Sequence, residues 1–144
     1  MSDRIKTLII ALSATLFIAI TASCTHNNGN IGYLFGKWKL TSIVRGNTPV
    51  ALPEGVDYYW NFQNTTVCMQ TIGEYHQEQR DYGNFRHLDN TLYLDFSDER
   101  FAPPAALLLP RQSELQVLVL KRGDMTLTYY PTPDDPVTYT FVKW

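Results

Sequence analysis

Three histidines and two cysteines carry most of the chemistry that this 144-residue chain could perform, and their positions restrict it. His26 falls in Thr25-His26-Asn27-Asn28-Gly29-Asn30, a polar stretch that resists both helix and strand and reads as a tether. A three-histidine metal site inside a folded domain is thereby excluded. His76 and Glu78, two apart, would share one face of a strand and supply two ligands if another strand supplied more, but the polar run over residues 74–81 reads better as a solvated face. Cys68, in Val67-Cys68-Met69, has no base or cation beside it and fits a small buried hydrophobe better than a nucleophile. No Gly-x-Ser-x-Gly elbow, phosphate loop or dinucleotide fingerprint occurs. We therefore expect no catalytic residue, metal or cofactor, and a protein that is not an enzyme. A formal net charge of -2 and a pI near 5.8 give no reason to expect nucleic acid as a partner.

Cys24 is different, because of what precedes it. Arg4 and Lys6 open the chain, an apolar run covers residues 8–20, and Thr21-Ala22-Ser23 lead into Cys24. Such a run spans roughly 20 Å as a helix, against about 30 Å for a bilayer core, so it suits an export signal better than a lasting span. Ile20-Thr21-Ala22-Ser23-Cys24 resembles the lipobox of bacterial lipoproteins, with Thr21 where that pattern usually has Leu. The resemblance implies cleavage before Cys24 and acylation of its thiol. It divides the chain into a signal peptide over 1–23, a lipidated flexible tether over 24–30 and a domain over 31–144. Acyl chains would then hold the protein to a membrane. The anchor implies the cell envelope, and in a host that sorts lipoproteins by the residues after Cys24, the lack of an acidic cluster there points to the periplasmic face of the outer membrane rather than to surface display.

The remainder alternates with period two, with turn signals about every 8–12 residues, and no window keeps a helical apolar stripe. Trp38 and Leu40 share one face of a first segment; Tyr58, Trp60 and Phe62 share one face of a second; Val137, Tyr139 and Phe141 share one face of the last. Asp89-Asn90 makes a two-residue hairpin turn that sets Leu88 opposite Thr91, His87 opposite Leu92 and Phe85 opposite Leu94. A turn at Arg122-Gly123 sets Leu120 opposite Met125, Leu118 opposite Leu127 and Gln116 opposite Tyr129. With residues 74–88 taken as one long strand, the pattern predicts an all-β, eight-stranded antiparallel up-and-down barrel, the alternative being a two-sheet β-sandwich.

Gly36-Lys37-Trp38 at the head of the first strand resembles the Gly-x-Trp signature of lipocalins. With the lipobox, the chain length and the closing strand, the chain resembles the small lipocalin-like lipoproteins of Bacteroidetes. The resemblance implies that Gly36 and Trp38 form a structural plug at one end of the barrel. Three features depart from it: there is no Thr-Asp-Tyr motif, no helix after the last strand, and no clear Arg to stack on Trp38, for which Lys143 is the remaining candidate.

Under the alternation, Tyr58, Trp60, Phe62, Phe85, His87, Gln116, Tyr129, Tyr139 and Phe141 all face inward and make up the candidate ligand-binding set, with His87 and Gln116 as its polar members. The connection over residues 97–114 is long and rich in Ala, Leu and Pro, so it must cover something, and the barrel's own end is the expected place. The leading expectation is a non-enzymatic lipoprotein that holds a small apolar or amphipathic ligand. The alternative is a filled barrel that acts as an interaction or inhibitor module for an envelope protein complex.

Overall fold

Alternation of apolar and polar residues drives nine strands: β1 (Gly36–Arg45), β2 (Thr48–Pro49), β3 (Asp57–Gln63), β4 (Thr66–Ile72), β5 (Glu78–Leu88), β6 (Thr91–Asp95), β7 (Gln112–Leu120), β8 (Asp124–Tyr129) and β9 (Val137–Lys143). The computed structural model describes residues 32–144, and Tyr33–Trp144 form one compact unit. The signal peptide expected over 1–23, Cys24 and the tether over 24–30 lie outside the described residues.

Each strand pairs antiparallel with its neighbour, and β2 only extends the far end of β1. β1 also pairs with β9 through Leu40 opposite Phe141 and Ile43 opposite Tyr139, which joins the two edges of the sheet. The result is a closed eight-stranded up-and-down barrel. Closure satisfies the backbone groups that a sheet edge would expose and gathers every inward face into one core. The strand directions place the connections over residues 46–56, 73–77, 96–111 and 130–136 at one end, here called the mouth. Gly36, Lys143 and the tight turns lie at the other.

The Asp89-Asn90 hairpin has the expected register, with His87 opposite Leu92 and Phe85 opposite Leu94. The β7–β8 hairpin departs from expectation. Leu120 does face Met125, but Leu118 is extruded in a bulge, so that Val117 lies opposite Leu127 and Leu115 opposite Tyr129. One extra residue reverses the alternation behind it. Gln116 therefore points outward into solvent instead of joining the inward set, and Leu118 is left 56% exposed.

The long strand expected over residues 74–88 also breaks. Glu74–His76 form a 3-10 turn in which Tyr75 and His76 take left-handed backbone angles. His76 is thus exposed in a turn and shares no strand face with Glu78.

Gly83 occupies an inward position of β5 where the sheet closes tightly. A Cβ there would lie 2.9 Å from the Asp95 carbonyl oxygen and 3.0 Å from the Phe96 ring. Gly123, by contrast, has open space around it. Gly83→Ala is expected to lower stability by about 1–3 kcal/mol, because a backbone oxygen in a paired strand cannot step aside. Gly123→Ala should stay within about 0.5 kcal/mol of the native protein. Equal urea midpoints for the two variants would contradict this assignment.

Candidate functional site

The closed end is built around Trp38, which is fully buried. Its indole Nε1 donates to the Leu34 carbonyl at 2.7 Å. The Lys143 ammonium lies 4.2 Å from the ring centroid, donates to the Tyr33 carbonyl at 2.9 Å and also donates to the Phe35 carbonyl. Gly36, at φ +102°, leaves room for this, since a Cβ would stand 3.2 Å from Lys143 Nζ. Lys143 therefore occupies the place over Trp38 for which no arginine was evident. Burial holds its pKa below the usual lysine value.

The inward aromatics are packed against one another. The Trp60 ring lies 4.8 Å from Phe141, 6.0 Å from Tyr139 and 6.3 Å from Phe62, and Phe62 meets Phe85 at 5.0 Å. Trp60, Phe62, Tyr139 and Phe141 have 0% exposure, so no water-sized space adjoins them. Tyr58 is buried in the same cluster, and Phe85 and Tyr129 pack half-buried against it. Four buried polar atoms, Trp60 Nε1, Thr71 Oγ1, His87 Nε2 and Ser113 Oγ, have no hydrogen-bond partner among the described residues. Eight of the nine residues expected to face inward thus do so, seven of them in or against one core cluster with His87 towards the closed end, and Gln116 is turned away.

The mouth is capped by the connection between β6 and β7. Leu107 is fully buried in the core cluster, with Phe101, Ala106 and Leu109 packed around it. The Tyr139 hydroxyl donates to the Leu107 carbonyl at 2.6 Å. Burial chiefly, with Tyr129 nearby, pushes the Tyr139 phenol far above its usual pKa, so it remains a donor. Arg111 shapes the loop from outside by donating to the carbonyls of Phe101 at 2.7 Å, Phe96 at 3.1 Å and Asp98 at 3.2 Å. Asp81, a buried carboxylate on the inward side of β5, accepts from Gln79 Nε2 at 2.9 Å and from the Ala102 backbone N–H at 3.4 Å. Sequence reasoning singled out neither Asp81 nor Arg111, because Arg111 and one oxygen of Asp81 are held by backbone groups of a loop with no regular pattern.

Two concavities mark the outer wall. One, of about 380 Å³, lies over β1, β3, β4 and β5 and includes Cys68. The thiol is half-buried on the outward face, not in the core as expected, because Val67, Met69 and Thr71 take the inward positions of β4. Burial pushes the Cys68 thiol up, while Tyr82 and Arg80 beside it act the other way. The second, of about 500 Å³, lies over β5, β6 and β7 and presents Arg86, Tyr93, Asp95 and Glu114. No group of three or more His, Cys, Asp or Glu suited to a metal ion occurs among the described residues.

A lipocalin-like protein from Bacteroides uniformis has a crystal structure that superposes with a TM-score of 0.64 at 16% identity, over 78% of this chain and 100% of that one. The fold is lipocalin-like. An uncharacterised protein from Bacteroides eggerthii matches with a TM-score of 0.61 at 14% identity, over 77% of this chain and 99% of that one. No protein-family model matches the sequence, nor does any curated protein. At these identities the likeness concerns the fold.

Tyr139→Phe should cost about 1–3 kcal/mol, because it leaves the buried Leu107 carbonyl without a donor. The loop amides around Leu107 should then exchange hydrogen faster than the strand amides. Unchanged stability together with unchanged exchange would show that this hydrogen bond does not hold the cap.

Proposed function

We propose that this protein is a non-enzymatic, lipid-anchored module of the cell envelope in which the barrel is a filled core and its outer face and loops dock on an envelope protein complex. The packing of Trp60 against Phe141, both without exposure, carries this reading. An eight-stranded barrel is just wide enough either to fill its interior with side chains or to hold one small ligand, and here large aromatics occupy the middle while Leu107 closes the mouth. Anchoring rests on the basic, apolar and small-residue approach to Cys24, with acyl chains on that thiol reaching the membrane and residues 24–30 serving as the tether. The periplasmic face of the outer membrane is the location that fits.

A second reading keeps the interior as a site for a small apolar or amphipathic ligand. The four buried polar atoms without partners favour it, as does the lipocalin-like fold. Entry would require the cap to lift, with Tyr139 releasing Leu107.

Native mass spectrometry on the full protein extracted from envelopes in mild detergent separates the two. A mass explained by the polypeptide and its acyl chains is expected. A further mass that disappears on denaturation would overturn the filled-barrel reading in favour of the second. Fatty-acid labelling tests the anchor independently: Cys24→Ser should abolish incorporation, and equal labelling of the two proteins would remove the anchor.

A further inference from the structure

The outward side chains of β1, β3, β4 and β5 form a grid set by the strand register. Lys37, Asn61, Cys68 and Tyr82 occupy one row across the four strands. Tyr59, Gln70 and Arg80 form the row on the mouth side, and Gln63, Thr66 and Asn84 the row on the other. The short side chains Asn61 and Cys68 sit in the middle, with short Thr66 beside them on the closed-end side, and the long ones, Lys37, Gln63, Gln70, Arg80 and Tyr82, stand around them. The wall of a barrel is convex, and this distribution of side-chain lengths makes a dish in it of about 380 Å³. That volume falls within the range of roughly 300–1,000 Å³ found for small-molecule sites.

The charges around the dish leave an excess of one cation. Lys37 rests its ammonium 4.3 Å from the Tyr59 ring centroid and makes no ion-pair contact with a carboxylate among the described residues, Glu78 acting on it only at longer range. Arg80 is paired through Nε with Glu78, whose other partner is Gln70 Nε2 at 2.7 Å. Lys39, further along β1, is matched by Asp57 at 3.0 Å. Apart from the Cys68 thiol, the neutral lining groups are carboxamides and hydroxyls, which both donate and accept and so match hydroxyl groups on a ligand.

We propose that this dish binds a small hydroxylated monocarboxylate, with its carboxylate at Lys37 and its hydroxyls on Asn61, Gln63, Thr66 and Tyr82. The site lies on the outside of the barrel and is independent of whether the interior is filled. It uses none of the inward aromatics and requires no movement of the cap. Cys68 forms part of the floor and takes no covalent part.

The test is an amide NMR titration of the full chain in detergent micelles with sodium D-glucuronate, alongside D-glucose and sodium chloride at equal ionic strength. Saturable shifts confined to the strands lining the dish are expected. Glucose, which has the hydroxyls without the charge, should bind about 10-fold more weakly, as should glucuronate to Lys37→Gln, a factor that corresponds to one charge-assisted contact. Asn61→Leu, which replaces a polar floor group while leaving Lys37 in place, should weaken binding as well. Four outcomes would each overturn the proposal: no localised shifts with glucuronate up to about 20 mM, well beyond a millimolar Kd; the same shifts with sodium chloride; equal affinity for glucose; or unchanged affinity in Lys37→Gln.

Discussion

Trp38 is the point at which separate parts of the barrel are made to agree. It lies opposite Trp60 on one side and Lys143 on the other, so its strand belongs to both ends of the sheet. Its indole N–H holds the turn before β1, and Lys143 holds the same turn through two carbonyls while covering the ring. A cation over an aromatic face contributes about 0.5–2 kcal/mol depending on how far it is desolvated, and the paired carbonyls would otherwise be short of donors. Lysine gives up the planar fork of arginine but offers three donors around one nitrogen, which suits two carbonyls and a ring converging on a single point.

The two ends of the barrel are closed by different means. At the Trp38 end the closure is electrostatic and local, with glycine at position 36 making the space. At the mouth it is mainly apolar: Leu107 enters the core, and Arg111 ties together the carbonyls of a segment with three prolines and little regular pairing. Between them the inward aromatics fill the interior, so polar chemistry is displaced to the outer wall. There the strand register, rather than any loop, determines which side chains are neighbours. Tyr59 shows how much that wall is organised: it points outward yet is only 4% exposed, because Trp144, Lys37 and Lys39 lie against it.

Much of this architecture is legible in the sequence where a signal is local. Asp89-Asn90 marks its hairpin, and the alternation through Tyr58, Trp60 and Phe62 and through Val137, Tyr139 and Phe141 marks inward faces. Legibility fails where a side chain's direction depends on a single inserted residue or on a distant partner. The bulge at Leu118 has no signature in a run of Val and Leu, and it alone moves Gln116 from the interior to the surface. β4 offers Val67 and Met69 on one face and Cys68 on the other, which does not decide its direction until β3 and β5 impose their registers. Asp81 looks like one more charge in a polar run, and one of the two groups that satisfy it when buried, the Ala102 amide, lies far along the chain.

The seam between β1 and β9 joins the first strand of the barrel to the last. Thr41 Oγ1 reaches the Thr140 carbonyl across 99 positions of sequence, and Arg45 pairs with Asp135 across 90. Loop-closure entropy must be overcome before such distant contacts stabilise anything, which makes folding slow relative to proteins built from local contacts. During synthesis, every nascent fragment that lacks residues 137–143 is an open sheet with two unpaired edges and an unfinished core. The barrel cannot close until residues 137–143 have left the ribosome, so the core stays unfinished until β9 is free to pair with β1.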